Sequence, residues 1–237
     1  MTTPRPTKGK IKEENNDENK EDATTPTGPP NRVYYSYADI HQTVATQLVP
    51  QIQQSSFQPT VIIAIGGGGF IPARMLRTEL RIPILAVSLE LYDDTTNTVR
   101  STGVEQVQWF REEELRRISR NSSNKDRQHQ EEEAEEERPQ VLIVDEVDDT
   151  RRTLHYCVDE LLKTMPCLQP ADLMVCVVHN KVKRKTGRLP SGVRYLAGAD
   201  VPGETWLCYP WEAATYNHTI YEHEALAAQQ TNTVSST

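Results

Sequence analysis

Residues 141–154 constrain this chain more than any other stretch. Val141, Leu142, Ile143 and Val144 form an unbroken aliphatic run. A strand covered on both faces loses the apolar–polar alternation of a half-exposed one, so the run predicts a buried central strand. Asp145, Glu146, Asp148 and Asp149 follow at once, then Thr150, Arg151, Arg152 and Thr153. After them Leu154, Val158, Leu161 and Leu162 recur at helical spacing, which starts a helix near Thr153 or Leu154. A turn that feeds a helix N-terminus points backbone N–H groups outward and favours an anion, phosphate above all. Carboxylates at a strand end can hold sugar hydroxyls or a hydrated Mg²⁺, which usually takes one or two carboxylates and keeps several waters. One short segment therefore offers grips for a phosphate, a sugar and a metal; a solvated acidic loop is the plainer alternative.

The same segment resembles the phosphoribosyl-pyrophosphate motif of the type I phosphoribosyltransferases. That motif is an aliphatic strand, two acids, two variable positions and then Asp-Thr-Gly-x-Thr or a close variant. Asp145 and Glu146 match the acidic pair, and Asp149, Thr150, Arg151, Arg152 and Thr153 match the loop around the ribose 5-phosphate. Arg151 departs from the pattern, since most members carry glycine there. A side chain at a position needing positive φ strains the turn. Fungal hypoxanthine-guanine enzymes resemble this chain in tolerating arginine at that place.

The rest of the chain reads as one α/β domain with appendages, or at most two small domains, for a length of 237 residues. Residues 1–32 hold only Met1, Ile11 and Ala23 as non-glycine apolar side chains, too few to offset the entropy of ordering, and are expected to form a disordered tail. Ser36 and Asp39 are spaced as a capping box, and Ile40, Val44, Leu48 and Ile52 follow every fourth residue as an amphipathic helix ending near Pro59. Val61, Ile62, Ile63, Ala64 and Ile65 read as a buried strand, with a helix after Pro72 and another strand over residues 84–89. Strand, helix, strand at this spacing is a parallel pair with a right-handed crossover. Residues 92–109 are polar and read as a long loop, more often a functional lid than an accident. Residues 111–118 read as a short helix. Residues 119–139 hold seven acids against four basic residues and read as an acidic insertion. Strands are expected again at residues 173–178, 193–197 and 206–207, the main domain at 33–222, and a polar tail at 223–237. The alternation predicts a mainly parallel twisted sheet flanked by helices.

A net charge of −8 argues against phosphate-backbone contacts over a broad surface, so nucleic acid is not an expected partner. Cys157, Cys167, Cys176 and Cys208 are dispersed, which favours reduced thiols over disulfides or zinc. No apolar stretch resembles a signal peptide or reaches membrane-spanning length, so a cytoplasmic protein without membrane contact is expected.

Three further stretches carry chemistry. Gly66, Gly67, Gly68 and Gly69 stand between a strand and a helix, where backbone amides can approach an anion without Cβ interference. They lack the Gly-Lys-Ser/Thr ending of a P-loop and the third glycine of the dinucleotide fingerprint. In this place they resemble the pyrophosphate loop of the purine phosphoribosyltransferases, which often carries a non-proline cis peptide that Gly66 and Gly67 would accommodate. Trp206, Leu207, Cys208, Tyr209, Pro210, Trp211 and Glu212 resemble the base-binding segment shared by bacterial xanthine-guanine and fungal hypoxanthine-guanine enzymes. The resemblance implies stacking of a purine on Trp206, backbone contacts from Leu207, and an exocyclic amine or metal contact from Glu212. Trp211 reads as core. Lys181, just past an apolar strand, matches the family lysine that donates to the purine O6, whereas Lys183, Arg184 and Lys185 beside it read as solvated.

The resemblance implies transfer of 5-phosphoribosyl from 5-phospho-α-D-ribose 1-diphosphate to N9 of a 6-oxopurine (hypoxanthine, guanine or xanthine). It implies Mg²⁺ held by Asp145, Glu146 and Glu212, a sugar and phosphate site including Asp148, Asp149 as general base or acid, a lid beginning at Tyr92, a small C-terminal hood over the base, and a homodimer. Two alternatives stay open: a regulator that binds the activated sugar without turnover, and a phosphoribosyltransferase for another base.

Overall fold

Apolar runs buried on both faces set the architecture. The computed structural model describes residues 31–90, 92–93, 98–99, 103–123 and 138–234. The expected tail up to residue 30 and residues 124–137 of the acidic insertion lie outside the described residues. In chain order the elements are β1 (Arg32–Tyr34), α1 (Tyr37–Thr43), a π-helical segment Val44–Leu48, α2 (Val49–Gln54), β2 (Val61–Gly66), α3 (Phe70–Leu80) and β3 (Ile84–Glu90). Then come β4 (Tyr92–Asp93), β5 (Thr98–Val99), β6 (Glu105–Gln108), α4 (Glu112–Ser123), β7 (Val141–Asp148), α5 (Arg152–Thr164) and a 3₁₀ turn Pro170–Asp172. The chain continues through β8 (Leu173–Val182), β9 (Arg194–Pro202), β10 (Trp206–Cys208), a 3₁₀ segment Pro210–Tyr216 and α6 (Ile220–Val234).

The main sheet has the order β6-β3-β2-β7-β8-β9, parallel throughout except for β6 at one edge. Alternate residues of each central strand serve two separate cores. Ile62 and Ala64 of β2, Leu142 and Val144 of β7, and Met174, Cys176 and Val178 of β8 pack against Ile40, Leu48, Ile52 and Leu76 of the first helices. Val61, Ile63, Val141, Ile143, Val175 and Val177 face the other way, onto Leu115, Leu154, Val158 and Leu161. Both faces are covered, which is why these strands show no polar alternation.

Ile40, Val44, Leu48 and Ile52 are all buried on one face, and the intervening segment is π-helical. A spacing of four outruns the 3.6 residues of an α-turn, and the wider π-turn keeps the row facing the sheet. The helix stops at Gln54 rather than near Pro59.

Strand order also locates a crevice. The crossover from β2 runs to β3 on one side, while β7 leads to β8 and β9 on the other, so the order reverses between β2 and β7. Ligands of open α/β sheets bind beyond the carboxyl ends of the strands at such a switch point. The loops leaving β2 and β7 there are the four glycines and the acidic turn.

The C-terminal part forms a hood. Strand β1 pairs in parallel with β10, matching Arg32 with Trp206 and Tyr34 with Cys208. Helix α6 seals this pair: the Gln230 side chain accepts from the Tyr34 N–H at 2.9 Å and donates to the Arg32 carbonyl at 3.1 Å. His223 and Ala227 are buried beneath it. The polar stretch from residue 223 is helical up to Val234, and besides Gln230 its Glu224 carboxylate accepts from the Tyr37 N–H at 3.0 Å. The long loop at 92–109 is corrected, since β6 pairs antiparallel with β3 although its four side chains are exposed. The expected first tail ends one residue sooner, at β1. Among the described residues no helix is long and apolar enough to cross a membrane.

Candidate active site

The glycine run turns sharply between β2 and α3. The peptide bond between Gly66 and Gly67 is cis. Gly68 lies so close to β7 that a Cβ there would fall 2.0 Å from the Glu146 carboxyl carbon. A Cβ on Gly69 would come within 2.5 Å of the carbonyl oxygens of Ile65 and Val144. At Gly69, where the neighbours are backbone, only glycine permits this approach; a side chain at Gly68 would displace the Glu146 carboxyl. Helix α3 carries no side-chain cap at Gly69.

Gly66, Gly67 and Gly68 join Asp145, Glu146, Asp148, Asp149, Thr150, Arg151, Arg152 and Thr153 around one cavity of about 180 Å³. Gly69 stands outside it, packed on backbone. The acidic turn ends at Arg151, which has φ 66° and precedes α5 without a side-chain cap. The first turn of that helix therefore presents its amides to the cavity end. The left-handed conformation at residue 151 is the one a glycine would adopt freely.

The carboxylates divide by environment. Burial, followed by the neighbouring Glu146 and Asp148 carboxyls, pushes Asp145 well above the ordinary carboxylate range. One Glu146 carboxylate oxygen is buried without a hydrogen-bond partner. Glu212, on the 3₁₀ segment of the hood, is raised by burial and then by Glu146, and accepts from the Tyr216 hydroxyl at 3.1 Å. An aspartate that resists losing its proton, beside a glutamate with an orphaned buried oxygen, is the donor set a divalent cation would relieve. Among the described residues no group of three or more His, Cys, Asp or Glu side chains converges as a full cage.

Asp148 lines the cavity with its carboxylate fully buried, and one oxygen accepts from Arg151 Nε at 2.8 Å, Arg151 Nη2 at 2.6 Å and the Tyr195 hydroxyl at 2.9 Å. That oxygen anchors the turn and engages the Arg151 side chain, while the other is buried without a hydrogen-bond partner. Asp149 is partly exposed and forms ion pairs with Lys183 and, at 3.5 Å, with Lys181. Lys181 sits on β8, one strand over from the turn.

Two of the lysines read as solvated are not. Lys183 pairs with Asp149, and Lys185 donates to the carbonyls of Asp148 at 2.5 Å and Asp149 at 3.0 Å. Nothing in a run of basic residues tells which one folds back. Tyr209 and His179 were missed as well. The Tyr209 hydroxyl donates to the Glu146 carbonyl at 3.2 Å and lies 2.9 Å from His179 Nδ1. Burial depresses His179 to about 4, so the ring is neutral.

The hood brings the remaining residues. Trp206 is 41% exposed, Leu207 is buried in the first core, and Trp211 stacks on Tyr209 with ring centroids 4.8 Å apart. Trp206, Leu207 and Glu212 do not line the cavity itself. Tyr92 belongs to β4, and its side chain lies outside the described residues.

Residues 36–191 match the family described as the phosphoribosyl transferase domain. Over 221 residues the chain is 38% identical to the hypoxanthine-guanine phosphoribosyltransferase of Schizosaccharomyces pombe, covering 84% of this chain and 96% of that protein. It is also 38% identical over 221 residues to xanthine phosphoribosyltransferase 1 of Saccharomyces cerevisiae, with the same coverage of 84% and 96%. Among solved structures, a hypothetical protein of Neisseria gonorrhoeae with bound ppGpp superposes with a TM-score of 0.63 at 37% identity, covering 84% of this chain and 97% of that one.

Proposed function

The chain belongs to the phosphoribosyltransferase family, and on that premise we propose that it is a purine salvage enzyme, a glycosyltransferase. It transfers 5-phosphoribosyl from 5-phospho-α-D-ribose 1-diphosphate to N9 of hypoxanthine, guanine or xanthine, releasing diphosphate. The 3.5 Å approach of Lys181 to Asp149, beside the phosphate turn at the switch point, carries the reading. That pair places a fixed donor next to a carboxylate, complementary to the O6 and N7 edge of a 6-oxopurine. Adenine would set its own 6-amino donor against Lys181, a mismatch that leaves a polar group unpaired.

The chain's residues then have separate tasks. The hydroxyls of Thr150 and Thr153, the Arg152 side chain and the open amides of α5 hold the 5-phosphate. The backbone of Gly66, Gly67 and Gly68 would meet the departing diphosphate, where charge builds. Asp145 and Glu146 hold ribose hydroxyls and stabilise positive charge at C1, while Asp149 moves the proton at the purine imidazole edge. Trp206 offers a flat exposed face for the base, and Leu207 its backbone groups. Asp145 and Glu146 would hold Mg²⁺, which when bound supplies charge neutralisation for the diphosphate, and Glu212 on the hood is left to accept from an exocyclic amine of the base. The lid from Tyr92 excludes water. A homodimer is part of this reading and is checked by light scattering. Free cysteines at 157, 167, 176 and 208 support a cytoplasmic setting.

Steady-state diphosphate release with guanine, hypoxanthine, xanthine and adenine tests the proposal. At least one 6-oxopurine should exceed adenine in kcat/KM by about 10⁴-fold. A preference for adenine would overturn the role of Lys181, and no turnover with any purine would leave a non-catalytic binder.

A further inference from the structure

Arg151 occupies a backbone conformation that side chains rarely adopt, and it does so at the hinge of the phosphate turn. Something must hold it there. The carboxylate of Asp148 accepts from Arg151 at 2.6 and 2.8 Å, and the Tyr195 hydroxyl donates to the same oxygen at 2.9 Å. The Arg151 guanidinium also lies 4.6 Å from the centre of the Tyr195 ring. Tyr195 comes from β9, which otherwise contributes nothing to the site.

The loop after β8 closes on the turn from the same side. Lys185 lies 3.3 Å from the other Asp148 oxygen and donates to two carbonyls of the turn. The Thr186 and Gly187 amides donate to the Thr150 carbonyl at 3.0 and 3.1 Å. A Cβ on Gly187 would fall 2.2 Å from the Arg151 carbonyl oxygen, so the loop fits against the turn only as glycine. Burial, then Asp148, pushes the Tyr195 hydroxyl far up, and it stays a neutral donor at any working pH.

We propose that Tyr195 is a positioning residue of the phosphate turn: by fixing Asp148 and the Arg151 guanidinium it lets a non-glycine residue keep the left-handed conformation that the turn requires. The inference rests on the reading that this turn binds the 5-phosphate of phosphoribosyl diphosphate. It makes the arginine a strap for its own backbone, with Lys185 bracing the strap from behind.

The claim predicts coupling between two positions. KM for phosphoribosyl diphosphate, KM for guanine and kcat are to be measured for the wild type, Tyr195→Phe, Arg151→Gly and the double variant. In the arginine background Tyr195→Phe should raise KM for phosphoribosyl diphosphate about five- to tenfold, with kcat and the guanine KM within about twofold. In the glycine background the same change should move it by less than about twofold, because glycine needs no strap. Calorimetric binding of ribose 5-phosphate should give the same ratios without turnover. Tyr195→Leu, which also removes the ring, should exceed Tyr195→Phe in the arginine background alone. Equal effects in both backgrounds, or effects confined to kcat or guanine, would make Tyr195 an ordinary packing residue and overturn the proposal. A wild type that neither turns over phosphoribosyl diphosphate nor binds ribose 5-phosphate would overturn the functional reading and this inference with it.

Discussion

Replacing Asp149 with asparagine separates chemistry from structure more cleanly than any other single change. Asparagine keeps the shape of the side chain and its capacity to accept a hydrogen bond, but it loses basicity. The structural cost follows from the ion pairs. Asp149 has a side-chain exposure of 30%, against 33% for Lys183 and 14% for Lys181. Both pairs run to Oδ1, which is itself buried, but asparagine keeps an oxygen in its place, so the fold should lose about 1 kcal/mol in total. For a domain of this size that corresponds to a fall of about 2–4 °C in Tm. If Asp149 manages a proton at the purine edge, its loss should lower kcat about 10²-fold or more. Diphosphate release with guanine, run beside a thermal melt, reads both quantities. A kcat within about threefold of wild type would refute the assignment and leave Asp149 a loop carboxylate. A melt that collapses along with activity would show that the ion pairs hold the turn, contrary to the small loss expected.

Other outcomes follow from the same geometry. Lys181→Met should raise KM for guanine about tenfold or more and narrow the discrimination against adenine, because the O6 partner is gone; an unchanged guanine-to-adenine ratio would rule Lys181 out. His179, buried and depressed to about 4, binds its proton more readily when unfolded, so its contribution is full above the ordinary histidine value and is lost as pH falls from there toward 4. The protein should therefore lose about 2 kcal/mol between pH 7 and pH 5 on this account, and His179→Gln should show a shallower dependence in denaturant titrations. Asp145 resists ionisation, so a divalent cation must displace its proton; Mg²⁺ affinity in the presence of phosphoribosyl diphosphate should rise with pH and release protons in calorimetry, and a flat pH profile would exclude Asp145 from the metal site.

Much of this arrangement was legible in the chain because the deciding residues are local. The aliphatic runs of β2 and β7 announce strands buried on both sides, and the residues after each strand fall by connectivity at the switch point. The positive φ at Arg151 was foreseeable from its place in the turn. Long-range partners were not. Tyr195 reaches the turn from β9, 47 residues away from Asp148, and no spacing signals that. Lys185 folds back while its basic neighbours give the same sequence signal. Strand β6 pairs with β3 while its four side chains stay exposed, and α6 carries so few buried residues that its pattern reads as polar.

A crystal structure with phosphoribosyl diphosphate and Mg²⁺ tests the central claim most directly. The account predicts the 5-phosphate against Thr150, Arg152 and Thr153, the ribose over Asp145 and Glu146, and the diphosphate on Gly66, Gly67 and Gly68, with Arg151 still bound to Asp148. Density for the donor anywhere else on the molecule would contradict it.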